Sequence, residues 1–164
     1  MTPPPARIQL RPVELADLPA LYTHQADPEA IRMAVVNPRD PDAFDRHWRT
    51  VLTNPEVHAR AIIADGVLVG SVNAFKLEGR DTVGYWIARE HWNRGIATRA
   101  LALLLQEVPV RPLHATAART NTASIRVLER CGFRITGHTL SPRCDRYPEC
   151  ETTHLVLDPQ HRAE

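Results

Sequence analysis

The segment Trp86-Ile87-Ala88-Arg89-Glu90-His91-Trp92-Asn93-Arg94-Gly95-Ile96-Ala97-Thr98 leads from a strand-like stretch through a short loop into an amphipathic helix. Gly95 and the small Ala97 leave the first turn of that helix bare, so its unpaired backbone N–H groups are open to a ligand. Such orphan donors, with the positive end of the helix dipole behind them, attract phosphate oxygens. Arg94 adds a full charge and Thr98 a hydroxyl. An ordinary helix start behind a glycine fits the same residues. About 25 residues on, Asn121-Thr122-Ala123-Ser124-Ile125-Arg126-Val127-Leu128-Glu129-Arg130-Cys131-Gly132-Phe133 opens a second helix with N-x-x-S and closes it with Gly-Phe. Asn121 can cap that helix by accepting from its orphan N–H groups, or donate its amide to a ligand. Ser124 can donate a proton or bond within its own helix. His58, His91, His114 and His138 are conceivable bases, although a lone histidine is more often packed or solvated than catalytic.

The elements that must position these residues follow from periodicity and breakers. Arg7 to Val13 reads as a strand, and Leu18, Leu21 and Tyr22 form a helical series behind Glu14 and Asp17. Asn37 to Pro41 breaks the chain, after which Phe44, Trp48, Val51 and Leu52 recur at helical spacing as far as Asn54-Pro55. From Val57 the period becomes that of strands. Asp65-Gly66 suits a two-residue hairpin between His58–Ala64 and Val67–Leu77; a further turn at Glu78 to Asp81 precedes Thr82 to Ala88, where Val83, Tyr85 and Ile87 share a face. Ala97, Ala100, Leu101, Leu104, Leu105 and Val108 make a helical stripe that Pro109 and Pro112 end. Leu113 to Ala117 is a brief strand, Thr122 to Cys131 a helix stopped at Gly132, and Phe133 to Thr139 and Thr152 to Leu157 two closing strands around a loop at Leu140 to Cys150.

The 164 residues fit one domain, expected over 7–158, with a disordered N-terminus at 1–6 and a tail at 159–164. A net charge of +1 gives no field for gripping a polyanion, so nucleic acid is not an expected partner. No apolar run reaches the roughly 20 residues that span a bilayer, and Met1 to Arg7 is Pro-rich rather than signal-like, so no membrane is expected and the location reads as cytoplasmic. Cys131, Cys144 and Cys150 are too few and odd in number for a disulfide framework. The five-residue gap between Cys144 and Cys150, even with His138 and His154 nearby, is unlike zinc spacing, and no metal is expected.

Taken together, a G-x-A loop opening an amphipathic helix and an N-x-x-S helix ending in Gly-Phe resemble the acyl-CoA site of the Gcn5-related N-acetyltransferases (GNAT). The match covers Val57 to Asp158 well and Leu10 to Asp27 loosely, and it is strongest to the subgroup that acetylates the N-terminal amines of ribosomal proteins, which shows a comparable tryptophan-containing loop. The resemblance implies an α+β fold: a mixed, mostly antiparallel sheet of about seven strands, splayed between strands four and five, with about four helices. It also implies acetyl-CoA as cosubstrate, with backbone groups at Ile87 and Ala88 on the pantetheine amides, Arg94, Gly95, Ile96, Ala97 and Thr98 on the pyrophosphate, and Asn121 on the arm from the other side.

Relatives often carry an acidic tyrosine where this chain has Leu128, and a glutamate two residues before a Gly-Tyr pair where it has Thr82. Ser124 matches a serine that stands near the thiolate in the ribosomal-protein subgroup and is the expected catalytic donor. The expected acceptor is a primary amine, either a protein N-terminus or a small molecule such as an antibiotic or polyamine; a non-catalytic acyl-CoA sensor is the reading from another class. The chain is expected as a monomer or homodimer.

Overall fold

Strand alternation decides which layer each strand residue joins. In β2 (His58–Ala64), Ile62 and Ala64 enter the core beneath one set of helices, while Ala59, Ala61 and Ile63 meet the other. The same rule puts Val83, Tyr85 and Ile87 of β4 (Arg80–Ile87) on one face, as the sequence predicts. The structure is a computed structural model that describes residues 4–159; the remaining parts of the expected tails, 1–3 and 160–164, lie outside the described residues.

With β1 Ile8–Pro12, β3 Val67–Leu77, β5 Leu113–Ala118, β6 Arg134–Ser141 and β7 Cys150–Leu157, the sheet has seven strands in the order β1-β2-β3-β4-β5-β7-β6. Its first four strands are antiparallel, and β2 to β4 form a meander turned by two-residue hairpins. Asp65 (φ 48°) and Gly66 (φ 81°) form one; Glu78 (φ 51°) and Gly79 (φ 77°) form the other, between Leu77 and Arg80. Positive φ at both central residues gives the twist that matches the flanking strands. β4 and β5 run parallel, and among the described residues a single pair, Thr82 with His114, bridges them. Beyond it the sheet is splayed.

Five α-helices cover the sheet: α1 Leu18–Gln25, α2 Pro28–Ala34, α3 Pro41–Thr53, α4 Ile96–Glu107 and α5 Thr122–Arg130. That is one more than the periodicity predicts. The addition is α2, whose start obeys a local rule: the Asp27 carboxylate accepts from the Ala30 N–H at 2.9 Å and Pro28 takes the first helical position. Its end does not, since the β-branched Val35 closes it at φ 53°.

The core has two parts. Ile96, Ala100, Leu101 and Leu104 of α4 and Leu128 of α5 pack with Val69, Val72 and Leu113 on one face of the sheet. Leu18 and Leu21 of α1, with Phe44 and Trp48 of α3, cover Ala61 on the other. No helix among the described residues is long and apolar enough to cross a membrane.

Candidate functional site

Where β4 and β5 part, the structure opens a cleft of about 320 Å³. Tyr85, Trp86 and Ile87 of β4 form one wall; Gly95 to Thr98 form another; Asn121, Ser124 and Val127 stand on the α5 side, and α2 adds Ala30, Met33 and Ala34. Gly95, Ile96, Ala97, Thr98, Asn121, Ser124 and Ile87 thus come together. Arg94 is exposed and outside the lining.

The β4 edge is set by its pairing with β3. Ala88 N–H donates to the Val69 carbonyl at 2.8 Å, so alternation turns the N–H groups of Tyr85 and Ile87 the other way, toward the gap. The Ala88 carbonyl accepts from His91 N–H at 2.9 Å. Ala88 thus has no N–H left for a ligand and keeps only the second lone pair of its carbonyl, whereas the Ile87 N–H faces the gap. The Ile87 carbonyl already holds the Trp92 indole N–H at 2.9 Å. Trp92 therefore fixes the loop.

Gly70 of β3 permits the close approach of β4 here. A Cβ at that position would lie 2.1 Å from the Trp86 carbonyl oxygen and 3.1 Å from the Ile87 Cα. Trp86 itself points to the opposite face, where its indole N–H donates to the His24 carbonyl at 3.0 Å.

At the start of α4, Gly95 is left-handed (φ 71°, ψ 11°) and Ile96 is helical, a sequence of conformations that converges successive N–H groups. No side chain caps this end and no acidic residue stands in its first turn. Asn121 does cap α5, its Oδ1 accepting the Ser124 N–H at 3.3 Å. That contact engages only the oxygen, so its amide N–H groups can still face a ligand.

Tyr85 and Ser124 meet across the cleft. Their hydroxyls are 2.6 Å apart, and the Tyr85 oxygen is 3.1 Å from the Ser124 carbonyl. Burial pushes the Tyr85 phenol up to about 12, against a smaller opposite effect of the Ser124 hydrogen bond, so it keeps its proton throughout the neutral range. When Tyr85 donates to Ser124 Oγ, the serine proton is free to turn into the cleft. Tyr85 was seen in the sequence only as one of a strand's apolar face.

Leu128, by contrast, is fully buried in the core and does not line the cleft. Leucine at that position has no proton to donate. Thr82 is buried with its hydroxyl donating to the Arg80 carbonyl at 3.0 Å, and Asp81 pairs with Lys76 at 3.5 Å. Among the described residues no carboxylate lines the cleft; His91 does. His58 lies 3.5 Å from Glu107, His114 opposes Thr82, and His138 bonds the Thr153 hydroxyl at 2.9 Å. Sequence reasoning missed Arg126 and Arg130, which line the cleft from successive turns of α5; their i, i+4 spacing was the available signal.

This arrangement, a bare helix start beside a split parallel pair, coincides with a match to the Acetyltransferase (GNAT) domain model over residues 7–134. The chain belongs to the GNAT acetyltransferase family. A relative named uncharacterized N-acetyltransferase p20, from Bacillus licheniformis, is 24% identical over 144 residues, which are 80% of this chain and 81% of that protein. The spermidine N-acetyltransferase of Vibrio cholerae, solved with CoA and spermine, has a TM-score of 0.79 at 16% identity, covering 93% of this chain and 95% of that one. RimJ of Mycobacterium smegmatis, solved with CoA-disulfide, has a TM-score of 0.74 at 22% identity, covering 94% and 86%. As a GNAT member the chain is an acetyl-CoA-dependent acetyltransferase, with acetyl-CoA as cosubstrate and an amine as acceptor.

Proposed function

We infer that this acetyltransferase modifies a primary amine at a protein N-terminus, with the CoA phosphates on Gly95 to Thr98 and the pantetheine arm in the gap between β4 and β5. The observation that carries this reading is the bare α4 start opening into the same cleft as the Tyr85–Ser124 hydroxyl pair. Acetyl-CoA brings the activated acyl group; the chain supplies donors and position. Arg126 and Arg130 in the lining, with the exposed Arg94 just before the turn, give the cofactor end a positive field, Ile87 N–H and the Asn121 amide face the arm, and Ser124, backed by Tyr85, stands as the proton donor. A departing thiolate with an ordinary pKa of about 8 to 9 needs only modest help. The acceptor proton goes to water or to His91, the imidazole of the lining.

The likeness of the tryptophan-containing loop to that of the ribosomal-protein acetyltransferases, with the fold likeness to RimJ, favours a protein N-terminus over a small amine. A polyamine is the second reading, favoured by the fold likeness to a spermidine acetyltransferase. The absence of a carboxylate from the described lining is what keeps a sensor in contention. Release of free CoA with a panel of N-terminal peptides and polyamines, read with mass spectrometry of the products, separates all three. In single-turnover transfer, Ser124→Ala and Tyr85→Phe are each expected to slow the chemical step about 10- to 100-fold. The double variant should be little worse than either alone, because the two hydroxyls act as one relay. A wild-type chemical step in Ser124→Ala means that water supplies the proton.

A further inference from the structure

Arginine is the chief cation of this chain, nineteen against the single Lys76. Arg11, Arg32, Arg49, Arg60 and Arg119 each meet a carboxylate, on Asp17, Glu29, Asp45, Glu107 and Glu151 respectively. Arg39 and Arg146 do not. Both are half-buried, and neither forms an ion pair among the described residues. They come from distant parts of the chain, Arg39 from the linker between α2 and α3 and Arg146 from the loop between β6 and β7, yet each lies close enough to Tyr147 to be influenced by it. Burial lowers the pKa of both guanidiniums, and the charge of Arg146 lowers that of Arg39 further. Two like charges withdrawn from water without a counter-charge are unfavourable unless something anionic joins them.

The pair is also held in place. Asn37 N–H donates to the Arg146 carbonyl at 2.7 Å, Arg146 Nη1 donates back to the Asn37 carbonyl at 2.6 Å, and Asn37 Nδ2 donates to the Asp145 carbonyl at 3.1 Å. The left-handed Val35 stands two residues before this clamp, a strain that persists where the surroundings fix the backbone. His47 of α3 completes the group. Water still reaches part of its ring, but the protein crowded around it and then the two guanidiniums push its pKa down to about 4, so it adds a neutral hydrogen-bonding edge rather than a third charge. Neither of the adjacent carboxylates, Asp40 and Asp145, forms an ion pair with these arginines among the described residues. Asp40 caps α3 by accepting from Ala43 N–H at 2.8 Å, and Asp145 engages the clamp only through its backbone.

We propose that Arg39 and Arg146 form a subsite for an anionic group, carboxylate or phosphate, carried by the amine acceptor. Ala34, which lines the cleft, is three residues from Asn37, so the clamp starts within roughly 11 Å of the cleft wall. About three extended residues span that length, which places the anion a few positions along an acceptor peptide whose N-terminal amine is in the cleft. The subsite rests on the reading of a protein N-terminus as acceptor, and it selects acidic N-terminal sequences against polycations.

The test compares acetylation of peptides that differ only at positions 2 to 5, carrying glutamate, phosphoserine, glutamine or lysine. The wild type is expected to favour the anionic peptides in kcat/KM by about tenfold over glutamine, with lysine slowest, and the ratio between glutamate and phosphoserine tells which anion is preferred. In Arg39→Gln and Arg146→Gln the preference collapses while the rate on the glutamine peptide holds. Arg39 makes none of the clamp hydrogen bonds, so its variant remains informative if Arg146→Gln loosens the loop. Inorganic phosphate should inhibit the wild type competitively against the acidic peptide and lose that effect in Arg39→Gln. Equal rates on all four peptides, or a preference unchanged in both variants, overturns the subsite. If no peptide is acetylated but small amines are, the N-terminal acceptor is wrong; the subsite is then judged on paired small amines with and without a carboxylate, and equal rates on those pairs overturn it.

Discussion

Replacing Gly70 with alanine adds one carbon 2.1 Å from the Trp86 carbonyl oxygen, on the strand that edges the cleft. A carbon–oxygen contact relaxes to about 3.3 Å, so β4 must retreat by roughly 1.2 Å at this point. The obstacle is backbone and cannot rotate away, and the Ile87 Cα at 3.1 Å blocks a sideways escape. Overpacking of this kind costs about 1–3 kcal/mol of stability. Its larger effect is on geometry. A displacement of about 1 Å at the groups that line a reacting centre lowers the rate by about 100-fold, or about 2.7 kcal/mol of barrier. Gly84 of β4 is the control, because a Cβ there would meet Phe75 Cε1 at an ordinary 3.5 Å. Steady-state kcat/KM for acetyl transfer, measured with thermal melts of both variants, should show Gly70→Ala crippled and folded, and Gly84→Ala close to wild type. Gly70→Ala turning over within about threefold of wild type, or equal damage in Gly84→Ala, would refute the claim that this glycine sets the cleft edge.

Gly95→Val should fold but lose affinity for acetyl-CoA, since φ 71° is a conformation valine resists and its side chain would stand over the N–H groups of the turn; calorimetry showing unchanged affinity would remove the turn from the cofactor site. Asn121→Asp retains a good cap and should melt with the wild type, yet bind acetyl-CoA more weakly because a carboxylate cannot donate to the arm; equal affinity leaves Asn121 as a cap only. Asp17 accepts from the Arg11 guanidinium at 2.7 and 2.8 Å and from Glu14 N–H at 2.8 Å, and the Arg11 hydrogen bond above all holds its carboxyl below the usual range. Its stabilisation is therefore complete above the ordinary carboxylate pKa and is lost as pH falls through the depressed one. Asp17→Asn should lose about 2 kcal/mol at pH 7 and flatten the decline of melting temperature below pH 4; a variant whose acid profile parallels the wild type contradicts this assignment.

The strand and helix pattern was legible because local signals agreed with the global fold. Asp65-Gly66 and Glu78-Gly79 demand positive φ, and the stripe from Ala97 to Val108 has one clear period. α2 escaped because seven residues show too little periodicity and Val35 gives no glycine stop, although Asp27-Pro28 marked its start. The Gly95 turn and the N-x-x-S helix were legible as motifs. Which backbone groups were free was not. Ala88 looked available until its N–H proved to be bonded to Val69, a matter of how β4 pairs with β3 that no local pattern encodes. Tyr85 and Ser124 are 39 residues apart and read separately, as did Arg39 and Arg146; proximity of this kind comes only from topology.

With the single Thr82–His114 bridge between them, β1–β4 and β5–β7 are joined by a shared layer of side chains far more than by backbone pairing, and the seam between them opens into the cleft. A molecule bonded to both banks of that seam acts as a staple. At a concentration 100 times its Kd it raises the unfolding free energy by about 2.7 kcal/mol, and slowed amide exchange should be concentrated on the Tyr85 and Ile87 side of the gap rather than spread through the fold. Resistance to proteolysis would then rise with the supply of the cofactor, and free CoA, which carries the same phosphates and pantetheine arm, should protect as acetyl-CoA does.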